Sequence, residues 1–216
     1  MTTETSQTLD RGLLVLEVLA HAQDGRTVTE IAHDLGISRT VVYRLLATLE
    51  QHALVRRSSD GRTRPGLGLL NLARTVQADL RDAALPVLRN LSDNMAGTTH
   101  LWLREGQDCV TVATVFHAGS TDARQAQRVG SRRRRSHTSV DQACDDVSEP
   151  GPLRWHIGVQ DPVVGCVTFA VGLKGVAGLV AAIGVVRCDG DLSARQTAFV
   201  GDGTVRAAAE VIRALR

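Results

Sequence analysis

The chain has 216 residues, 43% of them hydrophobic, with 25 basic and 23 acidic side chains and a net charge of +2. That length and apolar content allow a small domain and a larger one, while no run reaches the ~20 apolar residues needed to span a bilayer. A near-neutral total excludes global attraction to nucleic acid, so such a partner would have to be met by a local basic patch.

The opening MTTETSQTLDRG lacks the basic start and apolar run of a secretion leader, and a cytoplasmic protein with no membrane partner is expected. Leu9, Leu13, Leu16 and Ala20 recur at helical spacing and predict a first helix whose inner stripe lies across the elements that follow. Thr27 and Glu30 have the spacing of a capping box and predict a helix that Gly36 ends. Ser38 is a good N-cap for a third helix. Its side chains sort into an inner face, Val42, Leu45, Leu46 and Leu49, and an outer face, Thr40, Tyr43, Arg44, Ala47 and Gln51, with Arg39 at the shoulder.

Two short helices about a tight glycine turn, the second with an apolar back and hydrogen-bonding residues near its start, have the geometry that sets a recognition helix in the major groove of DNA. An ordinary helical hairpin would fill its exposed face with Glu and Lys. This face carries Thr, Arg, Gln and the only tyrosine of the chain. After it, Leu54 to Ser58 and Arg62 to Arg64 flank Asp60-Gly61, a tight-turn signal, and predict a two-stranded basic wing. From Gly36 to Gly66, Arg39, Arg44, Arg56, Arg57, Arg62 and Arg64 stand against only Glu50 and Asp60, so the local patch coincides with this motif. The predicted DNA-contacting residues are Ser38, Arg39, Thr40, Tyr43, Arg44, Gln51, Arg62 and Arg64.

Leu69, Leu72, Ala73, Val76 and Leu80 predict a linker helix, and Leu85, Leu88, Leu91 and Met95 a second helix with Pro86 in its first turn. Residues 98–104 and 109–115 alternate about the turn 105–108 and predict a hairpin. Residues 166–171 and 179–186 predict two strands central in a sheet, and Ser193 with Gln196 caps a last helix whose inner face carries Val205, Ala208, Ala209 and Ile212. Residues 116–161 give no periodic signal. Arg132 to Arg135 read there as a solvated loop, against a second phosphate-binding patch or a clamp for a carboxylate ligand. Cys109, Cys144, Cys166 and Cys188 sit singly, without C-x-x-C or matching histidines, which predicts neither a zinc site nor a disulfide framework and fits a reducing compartment. The expected division is 5–68, a DNA-binding domain; 69–81, a linker helix; and 82–216, a mixed α/β domain.

The stretches SQTLDRGLLVLEVLA, TVTEIAHDLGISRTVVYRLLATLEQHALV, DGRTRPGLGLL and ALPVLRNLSDNMAGTTHLWLREGQDCVTVATV resemble the IclR family of bacterial transcription regulators, over about half of the chain. The resemblance implies an α+β protein: a winged helix-turn-helix domain, a linker helix involved in dimerisation, and a C-terminal GAF/PAS-like domain that binds a small, often acidic metabolite. One small winged helix reads too few base pairs to select a genomic site unaided, so a homodimer or tetramer on a near-palindromic double-stranded operator is expected. Cys166 to Val171 is similar to the family's C-I-A-A-P-V strand and Ala182 to Val186 to its A-I-S-V-S strand. By that match Cys166, Gly184 and Val186 line the effector site, with Gly184 and Val186 in place of two serines, and His137 stands where the family has a G-x-x-x-P-L-H histidine. The effector domain is shortened between these segments.

Two other functions compete. A second domain that only oligomerises, sensing nothing, fits the shortening. An enzyme carrying a winged helix would need a nucleophile with its base, paired carboxylates, a phosphate loop or a metal cluster, and none has recognisable spacing. Catalytic residues, cofactors and metals are accordingly expected to be absent.

Overall fold

Four helices and a two-stranded ribbon build the first of two units, Met1–Val76, in the computed structural model, which describes residues 5–117, 128–159, 166–176, 178–188 and 192–216. Ser6 stands at the N-cap of α1 (Gln7–Ala20). Thr27 opens α2 (Val28–Asp34) through a reciprocal box: its backbone N–H donates to the Glu30 carboxylate at 2.7 Å, and its hydroxyl accepts from Glu30 N–H at 3.2 Å. Gly36 takes φ 62°, the left-handed turn that releases the chain from α2. Ser38 then caps α3 (Arg39–Gln51), accepting from Val41 N–H at 3.4 Å.

The core of this unit gathers Val15, Leu19, Ile31, Val42, Leu45, Leu46, Leu49 and Val55. The buried face of α3 is the one its periodicity predicts. On α1 the expected stripe is not the buried one: Gly12, Val15 and Leu19 turn inward, whereas Leu9, Leu13 and Ala20 are exposed. Leucine-type residues run down two sides of this helix, and spacing alone does not say which side meets α3.

The wing is β1 (Val55–Arg57) paired antiparallel with β2 (Thr63–Pro65), with Arg56 opposite Arg64. Pro65 ends an edge strand, where its missing donor costs no ladder bond. The linker predicted as one helix over 69–81 is divided. A short α4 (Gly68–Ala73) buries no side chain, and a turn follows in which Gln77 adopts φ 50° before α5 (Ala78–Met95) begins. Leu80 and Leu85 therefore share α5, and Pro86 lies inside that helix and not in its first turn.

The second unit, Gln77–Arg216, is a six-stranded antiparallel sheet. Its strands are β3 (Thr98–Glu105), β4 (Asp108–Val115), β5 (Arg132–Arg134), β6 (Trp155–Val159), β7 (Val167–Gly172) and β8 (Ala181–Arg187), in the order β5-β4-β3-β8-β7-β6. The expected hairpin is β3–β4, and the two apolar strands are β7 and β8, both interior. On one face α5 and α7 (Ala194–Ala214) bury Leu88, Leu91, Leu101, Phe169, Ile183, Val200 and Val211. Within α7, Ala208 and Ile212 are buried as predicted, and Val205 and Ala209 only partly.

On the opposite face α6 (Ser139–Asp145) packs with Trp102, Cys109, Ala170 and Ala182. β5, α6 and β6 thus stand where no periodicity is visible. Arg132 to Arg134 is a strand and not a loop, and α6 opens on a capping box of Thr138 with Asp141, the same spacing that marks α2. No described helix is long and apolar enough to cross a membrane.

Candidate nucleic-acid interface and effector face

The exposed side of α3 carries Arg39, Thr40, Tyr43, Arg44 and Ala47, all solvent-facing because Val42, Leu45, Leu46 and Leu49 lock the other side into the core. Ser38 is spent on the cap, with its side chain still at the surface. Among the described residues no ion pair engages Arg39 or Arg44. Gln51 is the last residue of the helix, about 18 Å along the axis from Arg39 at 1.5 Å per residue. It thus lies far from the N-terminal turn that would enter a groove.

The wing divides the arginines. Arg57 lies 5.7 Å over the ring of Tyr43 and 3.4 Å from Glu50, tying β1 to α3. Arg62 turns inward, donating to the Gly25 carbonyl and to Glu30, each at 3.1 Å. Arg64 holds Asp60 by two hydrogen bonds of 2.8 and 3.3 Å. That pairing, with the Arg62 N–H on the same carboxylate, lowers the Asp60 carboxyl to about 2. The Thr27 backbone bond, assisted by the nearby Arg62 and Arg26, likewise lowers Glu30. Two of the predicted contacts therefore serve the wing's own geometry. Arg56 and Arg57, adjacent to α3 and counted in the basic patch, are the cations that sequence spacing alone did not single out.

In the second unit, strand alternation sets His100 and Trp102 of β3, Thr111 of β4, Thr168 of β7, and Gly184 and Val186 of β8 on the face away from α5 and α7. Cys166, one residue before β7, follows the same alternation. His100 and Trp102 are fully buried with their rings stacked 5.2 Å apart. A Cβ at Gly184 would meet the Phe169 carbonyl at 2.1 Å and the Trp102 ring at 2.8 Å. A serine does not fit there, and the indole fills the position. His137 is separate, exposed on the turn before α6 at φ 57°.

Cys166 is not a free pocket thiol. It forms a disulfide with Cys188, 22 residues on, because Val167 pairs with Arg187 and the next register position sets the two cysteines opposite. The expectation of no disulfide fails here, since a cross-strand pair leaves no spacing motif, and the cysteine argument for a reducing compartment lapses with it.

The arginine run is matched by acids. Arg132 reaches Glu105 at 2.6 Å, Arg133 reaches Asp141 at 3.3 Å and Thr138 at 2.9 Å, and Arg135 bonds Asp145. Burial works to raise the Asp141 carboxyl, but the N–H groups of Thr138 and Ser136 and the Arg133 charge outweigh it and the net shift is downward. A clamp for a ligand carboxylate would have to displace these partners.

Residues 8–59 match the family model described as the IclR helix-turn-helix domain. Over 129 residues the chain is 27% identical to the HTH-type transcriptional regulator XynR of Escherichia coli, covering 58% of this chain and 50% of that protein. It is 29% identical over 127 residues to the glycerol operon regulatory protein of Streptomyces coelicolor, covering 57% and 49%. The chain thus spans about half the length of the curated relatives it matches. Its fold is similar to that of IclR from Thermotoga maritima, with a TM-score of 0.76 at 18% identity over 96% of this chain and 98% of that one. It is also similar to an IclR homologue from Microbacterium hydrocarbonoxydans complexed with 4-hydroxybenzoate, with a TM-score of 0.80 at 17% identity over 97% and 99%.

Proposed function

We propose that the chain is a regulator of the IclR family, whose helix-turn-helix domain its residues 8–59 match, and that it regulates transcription by binding a near-palindromic operator as a homodimer or tetramer. The observation that carries this reading is the exposed, unengaged Arg39 and Arg44 at the start of α3, beside Thr40 and Tyr43. Arginine there can meet guanine edges in the major groove, while Arg56 and Arg57 on the wing meet phosphates. Gln51 is left to a backbone contact, and Arg62 and Arg64 to holding the wing in place. The protein is a regulator and not an enzyme in this reading, needs no cofactor, and works in the cytoplasm where its DNA is.

Self-association is supported by apolar surface on the first unit. Leu9 and Leu13 on α1 and Leu67, Leu70, Leu72 and Val76 about α4 are all more than half exposed, with Leu67 at 78%. A monomer gains nothing from such a display, whereas a second copy would cover it. Two copies also read enough base pairs to select a site.

The homologue complexed with 4-hydroxybenzoate supports a small-molecule effector on the second unit. The face of His100, Trp102 and Thr168 is where it would sit, with Gly184 and Val186 in the strand beneath. The indole over Gly184 and the disulfide at Cys166 favour, as a second reading, a unit that only oligomerises. His137 is too exposed to close either arrangement by itself.

Selection of binding sites from a random duplex pool, followed by anisotropy titration, tests the DNA reading. Failure to enrich any site, or unchanged operator affinity for Arg44→Ala at several salt concentrations, would refute it. Calorimetry with aromatic and aliphatic acids separates the two readings of the second unit, since binding that Trp102→Phe alters is expected only if that face holds a ligand.

A further inference from the structure

Cys109 and Cys144 are the two cysteines outside the disulfide, and both are buried in the same cluster with Trp102, Val140, Ala143, Ala170 and Ala182. They are brought together by charge. Cys109 on β4 lies between Arg104 of β3 and Arg133 of β5 in the sheet register. Those two arginines then hold α6: Arg104 bonds Asp145 at 2.7 Å and the Asp141 carbonyl at 2.9 Å, and Arg133 bonds Asp141 at 3.3 Å. The helix so clamped carries Cys144, which is buried in the same cluster as Cys109.

We propose that Cys109 and Cys144 form a redox-active dithiol that a small hydroperoxide closes into a disulfide between β4 and α6. The two thiols are unequal in the way such a pair needs. The hydrogen bond from Cys144 lowers the Cys109 thiol; burial opposes this, and the charges of Arg133 and Arg104 add to it. The same bond and burial raise Cys144, so it stays protonated.

Cys109 thiolate attacks one peroxide oxygen, the O–O bond breaks, and Cys109 becomes a sulfenic acid while the other oxygen leaves as hydroxide, or alkoxide from an organic peroxide. The Cys144 sulfur then attacks the Cys109 sulfur, the S–O bond breaks, and the departing hydroxide takes up a proton and leaves as water. The two thiol protons leave with the two oxygens, the peroxide is reduced by two electrons, and the sulfurs are oxidised by two. Cys109 is the second residue of β4 after the exposed turn at Gly106 and Gln107, and β5 beside it is a three-residue edge strand, so opening of that edge is how a peroxide would reach it. Apolar burial alone would make these thiols inert, and the paired thiol and flanking guanidiniums are what distinguish the site.

The full chain is treated with hydrogen peroxide, quenched with an alkylating agent under denaturing conditions, digested and mapped by mass spectrometry. The expected result is loss of both Cys109 and Cys144 from the alkylated pool and a peptide joining them, reversed by dithiothreitol. Cys144→Ser should instead accumulate Cys109 sulfenic acid, captured by dimedone, and Arg133→Gln should slow the loss of the Cys109 thiol. Both thiols remaining alkylatable at peroxide doses that fully oxidise glutathione would overturn the proposal, as would oxidation of Cys109 beyond sulfenic acid in the wild type without the joined peptide. The wild-type map decides even if a variant fails to fold, and no DNA enters the measurement.

Discussion

Arg39 and Arg44 on α3 and Arg132 to Arg135 at β5 are two arginine clusters in one chain, and they differ in what stands within reach of them. On α3 the single acid, Glu50, is taken up by Arg57 of the wing, and among the described residues no ion pair engages either guanidinium. At β5 the acids of α6 and of the β3–β4 turn come within hydrogen-bonding distance: Glu105, Asp108, Asp141 and Asp145 take up Arg132, Arg133 and Arg135. Density of positive charge along a sequence is therefore no guide to a binding surface until the partners folded beside it are known. The first cluster stays at the surface without an ion pair among the described residues, and the second fastens a helix to a sheet.

The largest effect that would break this contrast is at Asp141. Asp141→Asn should destabilise the second unit by about 2–4 kcal/mol, because a buried carboxylate that caps α6 and holds Arg133 is lost. Urea unfolding measures it, and a change under 1 kcal/mol would mean that the arginine run is loosely held, on the scale of a surface pair. The same carboxylate predicts acid sensitivity. Asp141 and Asp146 are both lowered in the fold; burial opposes this in each, and hydrogen bonds outweigh it, from the Thr138 and Ser136 N–H groups in the first case and from His156 and Arg154 in the second. Their contribution is thus complete above the ordinary carboxyl value near ~4 and is lost as pH falls through the lowered ones. The urea midpoint of the second unit should fall below about pH 4, and Asp141→Asn should flatten that dependence.

Next in size is Arg44→Ala, expected to cost about 1–3 kcal/mol of operator affinity while changing stability by less than about 0.5 kcal/mol. Anisotropy and thermal melting together check the split, and a stability loss comparable to the affinity loss would erase the contrast with β5. Arg62→Ala should do the reverse, costing about 1 kcal/mol of first-unit stability through its bonds to Gly25 and Glu30. Any loss of DNA binding in that variant should be equal on operator and random duplex. The smallest effect belongs to Arg132→Ala, whose pairs with Glu105 and Asp108 are more than a third exposed, for about 0–1 kcal/mol and no change in DNA affinity.

What the sequence by itself determined is what nearby residues decide among themselves. Thr27 with Glu30, Gly36, and Ser38 with the apolar period behind it specify both helices, the turn and the outward face of α3, because capping bonds and helical periodicity span only a few positions. The β3–β4 hairpin and the interior strands β7 and β8 were legible for the same reason, and Thr138 with Asp141 carried an α6 signal that spacing could have revealed. Tertiary structure decided the rest. It chose which of two apolar stripes on α1 is buried, broke the linker at Gln77, and turned Arg62 into Glu30. It also set Trp102 where a serine at position 184 would stand, and laid Cys166 opposite Cys188 and Cys109 against Cys144. Each of these depends on sheet register or helix docking between residues far apart in the chain, and no local pattern encodes a distance that only the folded chain closes.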